Sequence, residues 1–258
     1  MSKAIVVKIG GSTLGQHDTS LADLAALQRE GWSPVVVHGG GKTITRWLER
    51  QALPTRFVRG LRVTDAATLE IVVAVLAGLV NKELVASLNL LGSRAVGLCG
   101  ADGGCIRARV KDPELGLVGE VTRIDTALIR ALTTQGFLPV IAPIALTEGS
   151  PSEASGLLNI NADTVAGELA EALGARRLVF LTDVPGVCNT TGAVIRRLNA
   201  AEAQQLIDSG VAGGGMVPKL EACLRAARSG ALAQVLDGRT AHALHNALGP
   251  DPPGTLIS

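Results

Sequence analysis

Two lysines at opposite ends of the chain sit where phosphate chemistry could be done. Lys8 is followed, after Ile9, by Gly10 and Gly11, and Lys219 closes the run Gly213-Gly214-Gly215-Met216-Val217-Pro218-Lys219. Only six of the 24 basic residues are lysines, so two of them beside glycine-rich breaks look placed. Glycine lets the backbone approach a ligand without Cβ obstruction. Compact ammonium groups beside open N–H groups suit a phosphoryl group in transit. A tight strand-to-helix turn with a snorkelling lysine is the plain alternative for Val6 to Ser12.

Further loops carry polar or glycine-rich chemistry. Val35 to Thr43, VVVHGGGKT, ends like a P-loop, but that motif needs glycine five residues before Gly41, where Val36 stands. Three glycines before a helix still make an anion nest, able to hold a carboxylate or phosphate through main-chain donors. His38 is read as a structural hydrogen-bonding residue. In Leu157 to Ala170, Asn159, Asn161 and Asp163 alternate with Ile160 and Ala162, which puts the polar side chains on one side. Asparagines suit a substrate carrying an amide and a carboxylate, and Asp163 could fix ammonium groups; helix capping is the other use of these residues. Leu181 to Val187, LTDVPGV, is either a ligand loop or an ordinary turn. Pro218 fits the first turn of a helix, which places Lys219 near a helix N-terminus, where phosphate is favoured.

These loops need strands and helices behind them. Apolar runs of four to six residues recur, each closed by a turn residue and followed by an alanine- and leucine-rich segment of helical spacing, the pattern of βαβ units. The expected strands are Ala4 to Ile9, Pro34 to Val37, Ala95 to Cys99, Leu138 to Pro143 and Leu178 to Thr182. Expected helices include Ser20 to Glu30, one or two buried helices in Thr68 to Leu91, and Ala162 to Leu173 before Gly174. Cys105 to Val121 reads as a hairpin, over a pocket or on the surface, and Gly149 to Gly156 as a polar loop. Strands without strict polar alternation belong to a parallel sheet covered on both faces. A lobe boundary falls near residue 175.

Bulk properties narrow the partners. The chain has 258 residues, a formal net charge of +1, 2% aromatic residues and no tyrosine, which argues against a nucleic-acid footprint and for a small-molecule site. The apolar run after Met1-Ser2-Lys3 is too short for a signal peptide or membrane span, so no membrane association and a cytoplasmic location are expected. Cys99, Cys105, Cys188 and Cys223 show no CxxC spacing, and His242 and His245 lack acidic or thiol partners close in sequence, so no metal site or disulfide is expected.

Taken together, KIGGS, HGGGK, GLRVTD at Gly60 to Asp65, NINAD, LTDVPGV and GGMVPK resemble the amino-acid kinase family, with likeness from Lys8 to GTLI at Gly254 to Ile257. The resemblance implies an α/β fold, a three-layer αβα sandwich with a mainly parallel central sheet. It implies an N-terminal lobe, 1–175, for an acyl-amino-acid and for dimerisation, and a C-terminal lobe, 176–258, for ATP. It makes Lys8 and Lys219 stabilisers of the transferring phosphoryl group, Gly11 a backbone donor to it, and Asp163 the group that orients both lysines. Gly40, Gly41, Arg62, Asn159 and Asn161 match the acceptor's positions. Nucleotide positions match Lys8, Gly10, Gly11, Asp183, Val184, Pro185, Gly186, Val187, Cys188, Val211, Gly214, Gly215, Met216 and Lys219. Mg²⁺ comes with the nucleotide, and no protein metal site is implied.

Related kinases of carbamate, aspartate, glutamate or UMP share the first loop, so HGGG, Arg62 and NINAD do the choosing. They point to ATP and N-acetyl-L-glutamate as substrates. A carrier-linked or N-acetylated aminoadipate is the alternative, and a non-catalytic sensor on the same fold is the other. Arginine-sensitive family members resemble one another in an extra helix before the first strand. Here the strand starts by about Ala4, so an arginine-insensitive homodimer is expected, paired through the N-terminal lobe.

Overall fold

Short apolar runs with no room for polar alternation become strands buried on both faces. The computed structural model describes residues 3–10, 19–148 and 156–258. In chain order, β1 (Ala4–Ile9) precedes α1 (Ser20–Arg29), β2 (Ser33–His38), α2 (Gly41–Arg50) and the small hairpin of β3 (Phe57–Val58) and β4 (Leu61–Arg62). Beyond it lies a continuous helical run made of α3 (Ala66–Val73), a π-helical segment Ala74–Val80 and α4 (Asn81–Leu90). Next come β5 (Ala95–Cys99), β6 (Ile106–Val110), β7 (Gly119–Ile124), α5 (Ala127–Thr134), β8 (Leu138–Ala142), β9 (Ile144–Thr147), β10 (Leu157–Asn159) and α6 (Ala162–Leu173). The chain finishes with β11 (Arg177–Thr182), β12 (Arg197–Leu198), α7 (Ala200–Asp208), α8 (Met216–Arg228), β13 (Leu232–Asp237), α9 (Ala243–Ala247) and β14 (Thr255–Ile257).

The main sheet runs β12-β14-β13-β11-β1-β2-β8-β5, parallel except where β13 meets β14. A second sheet, β10-β9-β6-β7, lies at the side of the first. One core cluster joins the main sheet to α5, α6, α7 and α8, including Val6, Val165 and Leu220. The other joins its opposite face to α1, α2, the α3–α4 run and α9. That is the three-layer αβα sandwich expected from the sequence. Because β1 pairs with β2 on one side and β11 on the other, its C-terminal end lies where the chain direction splits, the usual place for a ligand in such sheets.

One expectation needs correcting. The stretch Thr68 to Leu91 is not simply buried: Ala66–Leu90 is a single run, long and apolar enough to cross a membrane by composition, yet it packs one face on the sheet and exposes the other. Leu69, Val72, Leu76, Leu84 and Leu88 face the core, whereas Ala74, Gly78, Lys82, Ala86 and Leu90 are exposed. Helical spacing selects one face for burial, and apolar residues beyond that face stay on the surface.

Candidate active site

Lys8 lies near the end of β1, where strand alternation gives it the same face as Val6 and so aims it towards the α6 and α8 layer. Asp163 sits in the first turn of α6, whose N-cap is Asn161. A carboxylate there is favoured by the positive end of the helix. Gly167, one turn further, has no side chain: a Cβ would come 2.7 Å from the Cα of Ala222 in α8. The two helices therefore touch backbone to backbone, and Lys219, one turn before Ala222, is brought beside Asp163.

The result is a charged triad that draws from three elements. Lys8 Nζ makes an ion contact with Asp163 Oδ1 at 2.8 Å, and Lys219 Nζ donates to Oδ2 at 3.0 Å and to the Gly215 carbonyl at 3.0 Å. Burial alone would raise the Asp163 pKa, but the two ammonium groups outweigh it and hold the carboxyl below its ordinary value. Removing one partner from such a buried set leaves an uncompensated charge. Each oxygen of Asp163 thus faces one of the two lysines.

Beside the triad is a cavity of about 190 Å³ lined by Gly40, Gly41, Arg62, Leu76, Asn159 and Asn161, among others. Arg62 is 8% exposed; its Nη2 donates to the Gly41 carbonyl at 3.1 Å and to Thr45 Oγ1 at 2.9 Å, and its guanidinium lies 4.8 Å from the centre of the Phe57 ring. Burial lowers its pKa from the ordinary arginine value. Asn159 Nδ2 donates to Thr64 Oγ1 at 3.1 Å, and Thr64 in turn donates to the Arg62 carbonyl at 2.9 Å. Arginine and asparagine are thus tied into one frame.

Several site expectations change. Asn159, Asn161 and Asp163 do not share a strand face, because the strand ends at Asn159 and the helix begins at Ala162. Asn161 lines the cavity, but its Oδ1 caps α6 by accepting from the N–H groups of Asp163 and Thr164 at 2.8 and 3.1 Å. Gly10 does not offer its N–H to a ligand, since it donates to the Leu181 carbonyl at 3.2 Å and continues the sheet. Gly11 and the rest of the first loop to Asp18 lie outside the described residues, as does most of Gly149 to Gly156. On the other side of the triad, Asp183 and Pro185 are exposed and Val184 and Cys188 half-buried. Val187 is core, and Gly186 is pressed onto Thr255. Val211, Gly214 and Gly215 are exposed, with Met216 half-buried.

Thr45, Gly167 and Thr64 were missed by sequence reading. Gly167 inside an alanine-rich helix was the available signal, since an interior glycine marks a close approach. A cavity of about 960 Å³ lies between α1, α9 and the Pro250–Gly254 segment and includes none of the triad. All four cysteines are free.

A family model for the amino acid kinase family matches residues 3–237. The chain is similar to the acetylglutamate kinase of Dehalococcoides mccartyi strain BAV1, 46% identical over 255 residues that cover 98% of this chain and 94% of the relative. The acetylglutamate kinase of Parasynechococcus marenigrum strain WH8102 is 48% identical over 250 residues, covering 94% of this chain and 84% of its own. Among solved structures, smu.665 from Streptococcus mutans UA159 superposes with a TM-score of 0.85 at 31% identity, covering 100% of this chain and 99% of that one.

Proposed function

The chain belongs to the amino acid kinase family, and on that premise we propose that it transfers the γ-phosphoryl group of ATP to the side-chain carboxylate of N-acetyl-L-glutamate. The observation that carries this reading is the convergence of Lys8 and Lys219 on Asp163 beside a cavity whose buried cation is Arg62. A cation pair held by one carboxylate keeps two ammonium groups close despite their repulsion.

Phosphoryl transfer asks for position and neutralisation more than covalent help. The acceptor's α-carboxylate pairs with Arg62, for which lysine is no substitute because the guanidinium fork is planar and bidentate. Asn159 and the Gly40 and Gly41 backbone address the acetamido end. The side-chain carboxylate attacks the γ-phosphorus in line, the bond from phosphorus to the ADP oxygen breaks, and an acyl phosphate and ADP result. Charge on the equatorial oxygens is met by both ammonium groups. The carboxylate is already ionised at neutral pH, so no general base is needed. His38 is buried and bonded elsewhere. Mg²⁺ travels on the nucleotide's phosphates.

The same proposal assigns residues 1–175 to the acceptor and 176–258 to ATP, with adenine and ribose against Asp183 to Cys188 and Val211 to Met216. It includes a homodimer, supported by β5, which among the described residues is an edge strand paired with β8 alone, and by the exposed row Ala74, Gly78, Ala86 and Leu90 beside it. Light scattering reads the dimer, and an L-arginine titration reads the expected insensitivity. A cytoplasmic location belongs to the same reading. The decisive test is turnover of the purified protein with ATP, Mg²⁺ and N-acetyl-L-glutamate, trapped with hydroxylamine as the hydroxamate. N-acetyl-aminoadipate, aspartate and glutamate run beside it. Faster turnover of the longer acceptor, or none of any, sinks the assignment.

A further inference from the structure

The acceptor loop is braced from a residue outside the site. Asn81, the first residue of α4, is fully buried. Its Nδ2 donates to the Val140 carbonyl at 2.9 Å and lies 3.1 Å from His38 Nε2, while its Oδ1 accepts from Lys82 Nζ at 3.0 Å. Turning the amide over would set Oδ1 against the Val140 carbonyl, acceptor against acceptor. Both N–H groups of the amide are therefore spent as donors, so His38 Nε2 must accept. The ring proton then sits on Nδ1, which lies 3.0 Å from the Gly39 carbonyl and donates to it. Hydrogen-bond logic leaves one tautomer.

The peptide that joins Gly39 to Gly40 is a rigid plane in which the carbonyl and the next N–H point in opposite directions. Holding the Gly39 oxygen fixes the direction of the Gly40 N–H. The flanking peptides are held by the bonds of the Gly39 N–H to Ile9 and of Ile44 to the Gly40 carbonyl, but with glycine on both sides no Cβ opposes a turn of the plane between them. Two neighbouring features are built around this brace. Gly97 of β5 leaves room for the amide, since a Cβ there would lie 1.9 Å from Asn81 Oδ1. The π-helical segment immediately before Asn81 places Leu76 and Val80 against Gly40, where a Cβ would meet Leu76 Cδ2 at 2.6 Å. A π segment adds a residue to the helix and rotates the residues after it by about 100°, which turns Asn81 onto the sheet.

We infer that Asn81 is a positioning residue for the acceptor: through the His38 tautomer it fixes the Gly39–Gly40 peptide and the N–H that the loop presents. This rests on the acceptor assignment above for its kinetic arm only. Nitrogen-15 NMR of histidine-labelled full-length protein, with His38 identified from the His38→Gln spectrum, reads the tautomer without any substrate. The expected result is a proton on Nδ1 and a bare Nε2, lost or mixed in Asn81→Ala. A proton on Nε2 of the parent protein overturns the inference. In steady state, Asn81→Ala should raise the KM for N-acetyl-L-glutamate about tenfold and leave the KM for ATP within about twofold; equal changes in both overturn it. Should Asn81→Ala fail to fold, two His38 variants decide. His38→Asn keeps a donor where Nδ1–H stood and should stay within about threefold of the parent acceptor KM, whereas His38→Gln loses that donor and should show the tenfold rise. Equal acceptor KM values in the two overturn the inference. If the parent protein turns over no acceptor, the functional reading fails and the tautomer alone decides.

Discussion

Two runs of three glycines, Gly39–Gly41 and Gly213–Gly215, each open a helix, and the structure uses them in opposite ways. The first run is hemmed in at Gly40, whereas Gly41 is exposed and a Cβ there would meet nothing within 4 Å. Gly39 donates to the Ile9 carbonyl at 3.0 Å, Gly40 has Leu76 where a side chain would go, and the Gly41 carbonyl accepts from Arg62. The second run is open: all three residues are exposed, a Cβ at Gly213 or Gly214 would meet nothing within 4 Å, and Gly214 takes a left-handed φ of 53°. Glycine serves close packing at Gly40 and leaves an exposed backbone at Gly213–Gly215. The packed part of the loop is set before anything binds, which lowers the ordering cost of any binding there. The open loop leaves its backbone facing solvent.

The largest effect should fall where the two regions meet. Lys8 comes from a buried strand and Lys219 from the helix after the open glycines, yet both contact Asp163. If both act on charge that develops during transfer, Lys8→Ala and Lys219→Ala each lower kcat by about 10²–10³-fold and move KM much less. A Lys219→Ala protein with near-parent kcat and a raised KM for ATP would mean that the open region only binds, and that the shared triad has been misread.

The next effect belongs to the packed region alone. His38 heads the first glycine run, and its pKa falls from 6.5 to about 4, chiefly through burial, with Lys82 adding repulsion and the Gly39 carbonyl opposing the shift. The unfolded chain binds the extra proton between these values, so this contribution is complete above about pH 6.5. It declines as pH falls from 6.5 towards 4 and is gone below. The gap corresponds to about 3 kcal/mol. Urea denaturation at a series of pH values should show a steeper loss across that window in the parent than in His38→Gln. Identical slopes would mean that His38 does not carry it.

Much of this architecture was legible in the sequence because parallel strands buried on both faces are uninterrupted apolar runs. Ala4–Ile9 and the helix ending before Gly174 were readable to the residue. Lys8 and Lys219 could be named because rare lysines stood beside glycines, and Asp163 because polar residues alternate with apolar ones in NINAD. What could not be read depends on partners distant in sequence. Nothing in AVLAGLV marks Ala74–Val80 as π-helical rather than α-helical, because both forms bury the same kinds of residue. The His38–Asn81 bond joins residues 43 positions apart, and Gly167 acquires meaning only once Ala222 is opposite it. Asn161 lines the cavity while its oxygen caps α6, so the two uses weighed for it occur together. The alternation rule fails where strand passes into helix.

The smallest effects test the comparison most directly, because they need no ligand. In Gly40→Ala the new methyl group would start 2.6 Å from Leu76 Cδ2, and Leu76 is 2% exposed, so it can move only by displacing its packed neighbours. Overpacking of this kind typically costs about 1–3 kcal/mol. Gly213→Ala meets nothing within 4 Å, and its backbone is not in the left-handed region. There an alanine chiefly restricts the unfolded chain, which stabilises by about 0.4–1 kcal/mol. Urea denaturation of the two variants without substrates should therefore give changes of opposite sign. If Gly213→Ala destabilised the free protein as much as Gly40→Ala, the second glycine run would be packed too, and the contrast between a built loop and an open one would fail. If Gly40→Ala were neutral, Leu76 would have space to yield, and the acceptor loop would owe its shape to its hydrogen bonds rather than to the helix behind it.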